Sequence, residues 1–304
     1  MQKTKKNKAG RWIFILSVIA VCVIAADAIG THSATATTDI RPGDYGYAEL
    51  DEAQLHKGNL ILVRDGAACA FAEMEDLTSI YEYKNDTYSV KNTSLKLTRQ
   101  AIQPLNTMMT DFRNKTGLHD INIISAYRPA EEQKQLYEEK VAQTDEKEAA
   151  RWVAKPGCSE HHTGYALDLG IYTDDGRSLE FRGTGKYRWI CDNAARYGFV
   201  VRYEKNKENL TGIGNEPWHL RYVGRPHAWY MAQKKLCLEE YLELLKKYRY
   251  GEKHLLVKDS SAREYEVYYV PAADTKAGLP VPKGREYEVS GNNTDGFIVT
   301  SFLG

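Results

Sequence analysis

Apolar and polar side chains alternate with a period of two residues from Tyr165 to Ile171. Such alternation predicts a β-strand with one face in a core. Ala166, Asp168 and Gly170 share the other face of this strand. Because the two neighbours of Asp168 on that face are small, we expect open space beside its carboxylate, where a ligand could bind.

Other apolar patterns predict further strands and helices along the chain. Besides the strand at 165–171, runs rich in β-formers or alternating in polarity predict strands at residues 60–63, 121–126, 199–203 and 216–224. Apolar residues at helical spacing predict helices at residues 97–116, 130–143, 145–153 and 185–197, and two more within 226–247. Pro104 should start or kink the first of these helices.

The elements together predict an α+β fold with a small C-terminal β appendage. Residues 31–50 are rich in Thr, Ala, Gly and Pro and predict a linker. The tail changes to short strand-like runs separated by Pro- and Gly-rich turns. We therefore predict an N-terminal segment (1–30), a linker (31–50), a main domain (51–250) and a C-terminal β extension (251–304).

Composition and charge narrow the classes of function. The chain has 304 residues, of which 42% are hydrophobic and 27% charged, as in ordinary globular proteins. Lysine and arginine total 41, the same number as aspartate and glutamate, so no net field favours a nucleic acid partner.

The N-terminus has the pattern of an export signal. Five basic residues precede an apolar run at residues 12–26. We interpret the run as an uncleaved membrane anchor that places the rest of the chain outside the cytoplasm, at the cell membrane. A signal peptide, cleaved to release a secreted protein, is the alternative.

Four of the five cysteines lie beyond the apolar run, at positions 69, 158, 191 and 237. Their scattered spacing does not match a zinc finger, and a domain of this size does not require disulfides. Free buried thiols are the favoured interpretation, although an even number also permits disulfides.

Histidine and carboxylate side chains on the predicted strands suggest a catalytic metal site. Such a site needs about three protein ligands, an open position and a base. His161, Asp168 and His219 can supply the ligands, and Glu216 lies three residues before His219. Because residues three apart on a strand face opposite sides, Glu216 must be turned inward by a kink, for which Pro217 is a plausible cause.

Three ordered motifs give the chain a specific resemblance to one enzyme family: Ser159-x-His161-x-x-Gly164-x-Ala166-x-Asp168, Glu216-Pro217-Trp218-His219 and, upstream of both, Tyr127-Arg128-Pro129. They resemble the zinc D-alanyl-D-alanine carboxypeptidases of the VanY type, relatives of the VanX dipeptidases. The resemblance extends over roughly residues 55–250. It implies a Hedgehog/D-Ala-D-Ala carboxypeptidase-like fold, with an antiparallel sheet and flanking helices.

The resemblance also implies roles for individual residues. It implies one catalytic Zn2+ bound by His161, Asp168 and His219. Glu216 would act as general base and acid, and Arg128 would bind substrate and stabilise the oxyanion. The remaining implied role is that of Ser159, as a residue that hydrogen-bonds substrate.

Two nearby side chains keep open or lesser roles. His162 is adjacent to the implied ligand His161, but the family spacing gives it no bond to the metal. Arg221 shares the strand face of His219 and could meet either a substrate carboxylate or a structural ion-pair partner.

The implied function is hydrolysis of the terminal D-Ala–D-Ala bond of peptidoglycan stem peptides, with release of D-alanine. An L,D-carboxypeptidase or a crosslink endopeptidase is an alternative, because subsite shape cannot be read from the motifs. A non-catalytic wall-binding module is a third, which the complete set of expected site residues disfavours.

Overall fold

The computed structural model describes residues 35–65 and 76–303 of the chain. All of these residues belong to one compact unit. Within them, helices and mostly antiparallel sheets are interleaved, and the predicted α+β class is confirmed. The α-helices, numbered in chain order, are α1 Ile80–Tyr83, α2 Arg99–Thr116, α3 Ala130–Gln143, α4 Glu146–Trp152, α5 Arg188–Asn193, α6 Glu208–Thr211, α7 Arg225–Lys234 and α8 Leu238–Leu245.

Most strands fall into two larger sheets. The strands are β1 Thr35–Thr37, β2 Tyr45–Ala48, β3 Leu77–Ser79, β4 Ser89–Val90, β5 Lys96–Thr98, β6 Ile121–Ser125, β7 Ala166–Tyr172, β8 Ser178–Glu180, β9 Phe199–Tyr203, β10 Glu216–Tyr222, β11 His254–Lys258, β12 Glu264–Pro271, β13 Leu279–Pro282, β14 Tyr287–Gly291 and β15 Gly296–Phe302.

The main sheet has six strands in the order β4-β6-β7-β10-β9, with β8 paired to β7. Only the β4–β6 pair in it is parallel. One face of the sheet packs against α2, whose buried side chains include Leu105, Met108 and Phe112. The apolar residues of β7 and β10 point into the same core, so the polar residues of these strands face the opposite side.

Helix α2 begins at Arg99 and continues through Pro104, so Pro104 does not start it. A proline inside a helix costs about 3 kcal/mol, whereas each fully buried large apolar side chain contributes about 1.5–3 kcal/mol. The several side chains that α2 buries therefore outweigh the lost backbone hydrogen bond. The predicted helix at 185–197 is instead divided into 3-10 turns on either side of α5.

The second sheet has the order β1-β11-β12-β15-β14 and is built mainly from the C-terminal region. Residues predicted as a linker supply two strands: β1 pairs with β11 in this sheet, and β2 pairs with β13 in a separate two-stranded sheet. Backbone pairing needs no apolar pattern in the added strand, which explains why the sequence did not indicate it. Helices α7 and α8 pack in a shared apolar cluster with residues of this sheet.

Residues 60–63 are buried, but they do not form the strand that the sequence predicted. Side chains and loop backbone bind their main chain in place of a strand partner. Ser290 Oγ accepts from Leu60 N at 2.9 Å, and the Asn293 side chain donates to Leu62 O at 3.0 Å. Arg221 Nη2 donates to Asn59 O and Ile61 O, both at 3.0 Å. The segment thereby connects the main sheet to the C-terminal sheet.

The predicted location at the cell membrane is corrected by the structure. Among the described residues, no helix has both the length and the apolar character needed to cross a membrane. The apolar run at 12–26, from which the anchor was predicted, lies outside the described residues.

The three cysteines among the described residues divide between two states. Cys158 is disulfide-bonded, so the favoured interpretation of free thiols is wrong for this residue. Cys191 and Cys237 are free. Burial raises the pKa of both thiols to about 11, which keeps them protonated and unreactive near neutral pH.

Leu245 on α8 is fully buried in the cluster that α8 shares with the C-terminal sheet. We expect Leu245→Ala to lower the free energy of unfolding by about 2–5 kcal/mol, because it removes apolar contacts and leaves a cavity. Leu210→Ala is the control, since Leu210 is 45% exposed and the change should stay within about 0.5 kcal/mol. Chemical denaturation of both variants measures the effect, and equal destabilisation would contradict this packing.

Candidate metal centre

The pairing of β7 with β10 brings two of the predicted ligands together. The strands are antiparallel, and His219 lies directly opposite Asp168 in their register. His219 Nδ1 is 3.1 Å from Asp168 Oδ1. Two residues far apart in the sequence thus share one face of the sheet at hydrogen-bonding distance.

The third predicted ligand comes from the turn that leads into β7. Residues Glu160–Thr163 form a 3-10 turn, in which Ser159 Oγ accepts from His161 N at 3.3 Å. The turn ends at Gly164, which has φ +64°, and a Cβ there would lie 2.6 Å from Leu77 Cδ2. Glycine therefore allows the tight turn that points His161 back at Asp168, with Nε2 at 3.2 Å from Oδ2.

These three side chains fit a metal ion by both geometry and donor type. His161, Asp168 and His219 each offer one ligand atom, and these atoms lie within 4.8 Å of one another. Two imidazoles and a carboxylate are the ligand set of several catalytic zinc sites. The outward-facing nitrogens are also engaged: His161 Nδ1 lies 2.7 Å from Ala126 O, and His219 Nε2 lies 3.4 Å from Glu160 Oε2. Such outer contacts orient histidine ligands.

The electrostatics of the cluster favour a cation at its centre. Burial alone would lower the pKa of His219, but hydrogen bonds to Asp168 and Glu160 outweigh it and raise that pKa to about 9. Burial opposes ionisation of Asp168 as well, yet His161 and His219 hold its pKa well below the ordinary value. In the absence of a metal ion, a proton on His219 supplies positive charge between the carboxylates of Asp168 and Glu160. A bound metal ion would supply this charge in its place.

Glu216 is turned toward the cluster by an irregularity in β10. The register between β10 and β9 shifts between Glu216 and Leu220, the kink that the sequence required. Glu216 Oε2 lies 3.9 Å from His219 Nδ1. Burial raises the pKa of Glu216 to about 7, which suits a group that takes and returns a proton near neutral pH.

Arg128, which follows the end of β6, approaches the carboxylate of Asp168. Its guanidinium donates to Gln133 Oε1 at 2.8 Å and to Ser125 Oγ at 2.7 Å. Arg128 Nη2 lies 3.9 Å from Asp168 Oδ2. Because both hydrogen-bond acceptors are neutral, the positive charge of the guanidinium remains available to an anion that enters the site.

A cleft of about 340 Å³ leads to this cluster. Besides the candidate residues, aromatic side chains line it, among them Trp152, Tyr203 and Trp218. Ser159 is also part of the lining. The structure therefore brings all six predicted site residues to one cleft.

The space expected beside Asp168 is partly filled. A Cβ on Gly170 would lie 2.7 Å from Ile124 Cγ2, because the register of β6 against β7 shifts after Ile123. The same shift sets Ser125 opposite Asp168 and so positions the oxygen that accepts from Arg128. Room for a ligand lies instead on the side of the cleft.

Structure decides between the open interpretations of two side chains. Arg221 is fully buried and lies 3.0 Å from Glu160, so it is a structural ion-pair partner and does not meet substrate. His162 Nδ1 lies 2.7 Å from Arg128 O, outside the ligand cluster. The sequence did not indicate Glu160 or Tyr203 as site residues. The ring centroid of Tyr203 lies 4.8 Å from that of His219. Only the position of Glu160 beside His161 could have drawn attention to it.

Comparison with known proteins identifies the family. The family described as VanY, D-alanyl-D-alanine carboxypeptidase, matches residues 94–225. The D-alanyl-D-alanine carboxypeptidase of Enterococcus faecium is 34% identical over 258 residues, which are 84% of this chain and 78% of the relative. The chain belongs to the VanY family of D-alanyl-D-alanine carboxypeptidases.

Solved structures agree with the VanY assignment. The vancomycin resistance D,D-dipeptidase VanXYg, in complex with a D-Ala-D-Ala phosphinate analogue, has a TM-score of 0.74 and 31% identity, covering 85% of this chain and 99% of its own. The LD-carboxypeptidase LdcB has a TM-score of 0.54 and 32% identity, covering 65% and 93%. A VanY D,D-pentapeptidase variant in complex with Zn(II) has a TM-score of 0.51 and 31% identity, covering 60% and 98%.

The adjacent histidines of this VanY-family site offer a matched test of the ligand set. We expect His161→Ala to weaken Zn2+ binding by more than the about 10- to 100-fold that loss of an outer contact causes. His162→Ala should leave the affinity unchanged, since His162 is outside the cluster. Competition with a chromophoric chelator measures both, and a larger loss for His162→Ala would refute the assignment.

Proposed function

We propose that this VanY-family enzyme uses one Zn2+, held by His161, Asp168 and His219, to hydrolyse the terminal D-Ala–D-Ala bond of peptidoglycan stem peptides. The observation that carries the proposal is the convergence in one cleft of three ligand atoms within 4.8 Å, a carboxylate and a guanidinium. The products are D-alanine and the stem peptide shortened by one residue.

Residues around the metal position supply the proton transfers. When bound, Zn2+ polarises the scissile carbonyl and makes water a better nucleophile at neutral pH. Glu216 accepts a proton from the attacking water and passes it to the amine nitrogen of the departing D-alanine. Its pKa of about 7 in the buried cleft supports both halves of this role.

The remaining site residues bind and stabilise the substrate. Arg128 neutralises the negative charge that develops on the carbonyl oxygen, and its contacts to Ser125 and Gln133 hold it ready. Ser159 Oγ can donate to a substrate carbonyl while it accepts from His161 N. Tyr203 and Trp218 form apolar walls suited to small methyl side chains.

We assign the catalytic domain to residues 51–250 and regard the C-terminal β extension, 251–304, as a brace for it. All the site residues lie in the first range. The hydrogen bonds that Ser290 accepts from Leu60 N and Asn293 donates to Leu62 O support the second role.

Glu216→Gln tests the proposed base. The amide keeps the size of the side chain but cannot accept a proton, so we expect kcat to fall by about 10²- to 10⁴-fold. Zn2+ affinity should stay near that of the wild type, because Glu216 is not a proposed ligand. Release of D-alanine from a pentapeptide stem measures the rate, and full release by the variant would exclude this mechanism.

The specificity of the cleft is tested with two stem peptides. We expect D-alanine to be released from a stem that ends in D-Ala–D-Ala faster than from a tetrapeptide stem that ends in a single D-Ala after an L-centre. Mass spectrometry of both digests identifies the products. Faster cleavage of the tetrapeptide would instead make the protein an L,D-carboxypeptidase, and binding of either stem by zinc-loaded protein without any product would favour a non-catalytic module.

A further inference from the structure

Glu160 is a buried carboxylate behind the metal centre, and the proposed hydrolytic steps do not use it. Its Oε2 lies 3.4 Å from His219 Nε2, on the side of the ring away from Asp168. Its other oxygen, Oε1, accepts from Arg202 Nε at 2.7 Å and lies 3.0 Å from Arg221 Nη1. Both oxygens are therefore committed, one to two guanidinium groups and one to the ligand.

A residue of α8 holds this arrangement from outside the cleft. Glu239 accepts two hydrogen bonds from Arg202, at 2.9 Å from Nη1 and 2.7 Å from Nη2. Glu239 is not part of the cleft lining. Two carboxylates and two guanidinium groups balance in charge, which is the condition under which buried ions persist. The network leaves Oε2 of Glu160 as an acceptor aimed at His219.

This acceptor matters because only one nitrogen of His219 can face the metal position. His219 Nδ1 points at Asp168. An imidazole binds a metal through a nitrogen without a proton, so the proton of neutral His219 must be on Nε2. A carboxylate that accepts from Nε2–H selects that tautomer and fixes the rotation of the ring.

We propose that Glu160 is a positioning residue that selects the tautomer of His219 for metal binding, and that Arg202 and Glu239 hold Glu160 in place. The inference rests on the proposed zinc-dependent function. It extends control of the metal centre to α8, which follows the main sheet in the chain and does not line the cleft.

Glu160→Gln tests the proposal with a minimal change of shape. Because Arg202 and Arg221 both face Oε1, the amide oxygen must take that place and the NH2 group must face His219 Nε2. A donor opposite Nε2 favours the tautomer with the proton on Nδ1, where it blocks the metal. We expect Zn2+ affinity, measured by chelator competition, to fall by about 10- to 100-fold. The visible absorption spectrum of the Co2+-substituted protein should change. At saturating Zn2+, the relative decrease in kcat should be larger than the relative change in KM.

Two variants on α8 separate positioning from general damage. Glu239→Gln should also weaken Zn2+ binding, but by a smaller factor. Arg202 then loses one of its two charged partners, while Glu160 keeps its negative charge. Glu240→Gln is the matched control. Glu240 neighbours Glu239 on α8, pairs with Lys207 at 2.6 Å and is not in the network, so Zn2+ affinity and the Co2+ spectrum should be those of the wild type. If Glu160→Gln fails to fold, Glu239→Gln decides.

The outcomes distinguish the positioning role from the proposed function. Suppose that the wild type binds Zn2+ and that both Glu160→Gln and Glu239→Gln leave the Zn2+ affinity and the Co2+ spectrum unchanged. This result would overturn the positioning role alone. A fall in affinity for Glu240→Gln equal to that for Glu239→Gln would overturn it also. Failure of the wild type to bind Zn2+ would overturn the proposed function and this inference together.

Discussion

The antiparallel pairing of β7 with β10 is the constraint on which the rest of the site depends. It sets His219 opposite Asp168, and the turn before β7 adds His161 at 3.2 Å from the same carboxylate. A slip of one residue would move His219 and its strand neighbours to the other face of the sheet. The apolar face of β7 and β10 prevents this slip, because it is buried against α2. Packing on one side of the sheet thereby determines chemistry on the other.

Charge burial is the second condition for this site. Four charged side chains, Glu160, Arg202, Arg221 and Glu239, lie almost without exposure behind the ligands, and each faces a partner of opposite charge. Loss of one partner from such a group is costly because it leaves an uncompensated buried charge. Arg221 also donates to main-chain oxygens of residues 59 and 61, and Leu60 between them donates to Ser290 of the C-terminal sheet. The β extension is therefore continuous, through hydrogen bonds, with the metal centre.

Much of the site could be predicted because its residues lie in short local patterns. The spacing around His161 and Asp168 and the run from Glu216 to His219 indicated the family, the proposed ligands and the proposed base. A kink at Glu216 was required by strand geometry and is present as a register shift. The unrecognised parts have no local pattern. The strands within residues 31–50 pair through their backbone, residues 60–63 are held by distant side chains, and Glu160 is linked to Glu239 across 79 positions of sequence, a contact that neither period nor spacing encodes.

By itself the sequence determined the fold class and the family and pointed to the proposed site residues, because alternation, helical spacing and fixed motifs are properties of neighbouring residues. Only the tertiary structure decided which partners the buried charges have. It showed that Arg221 is an internal ion-pair partner, that Ile124 fills the space beside Gly170, and that Glu160 stands behind His219. These outcomes depend on the registers of strands and on the docking of α8, which arise when distant segments pack to bury apolar surface and to neutralise charge.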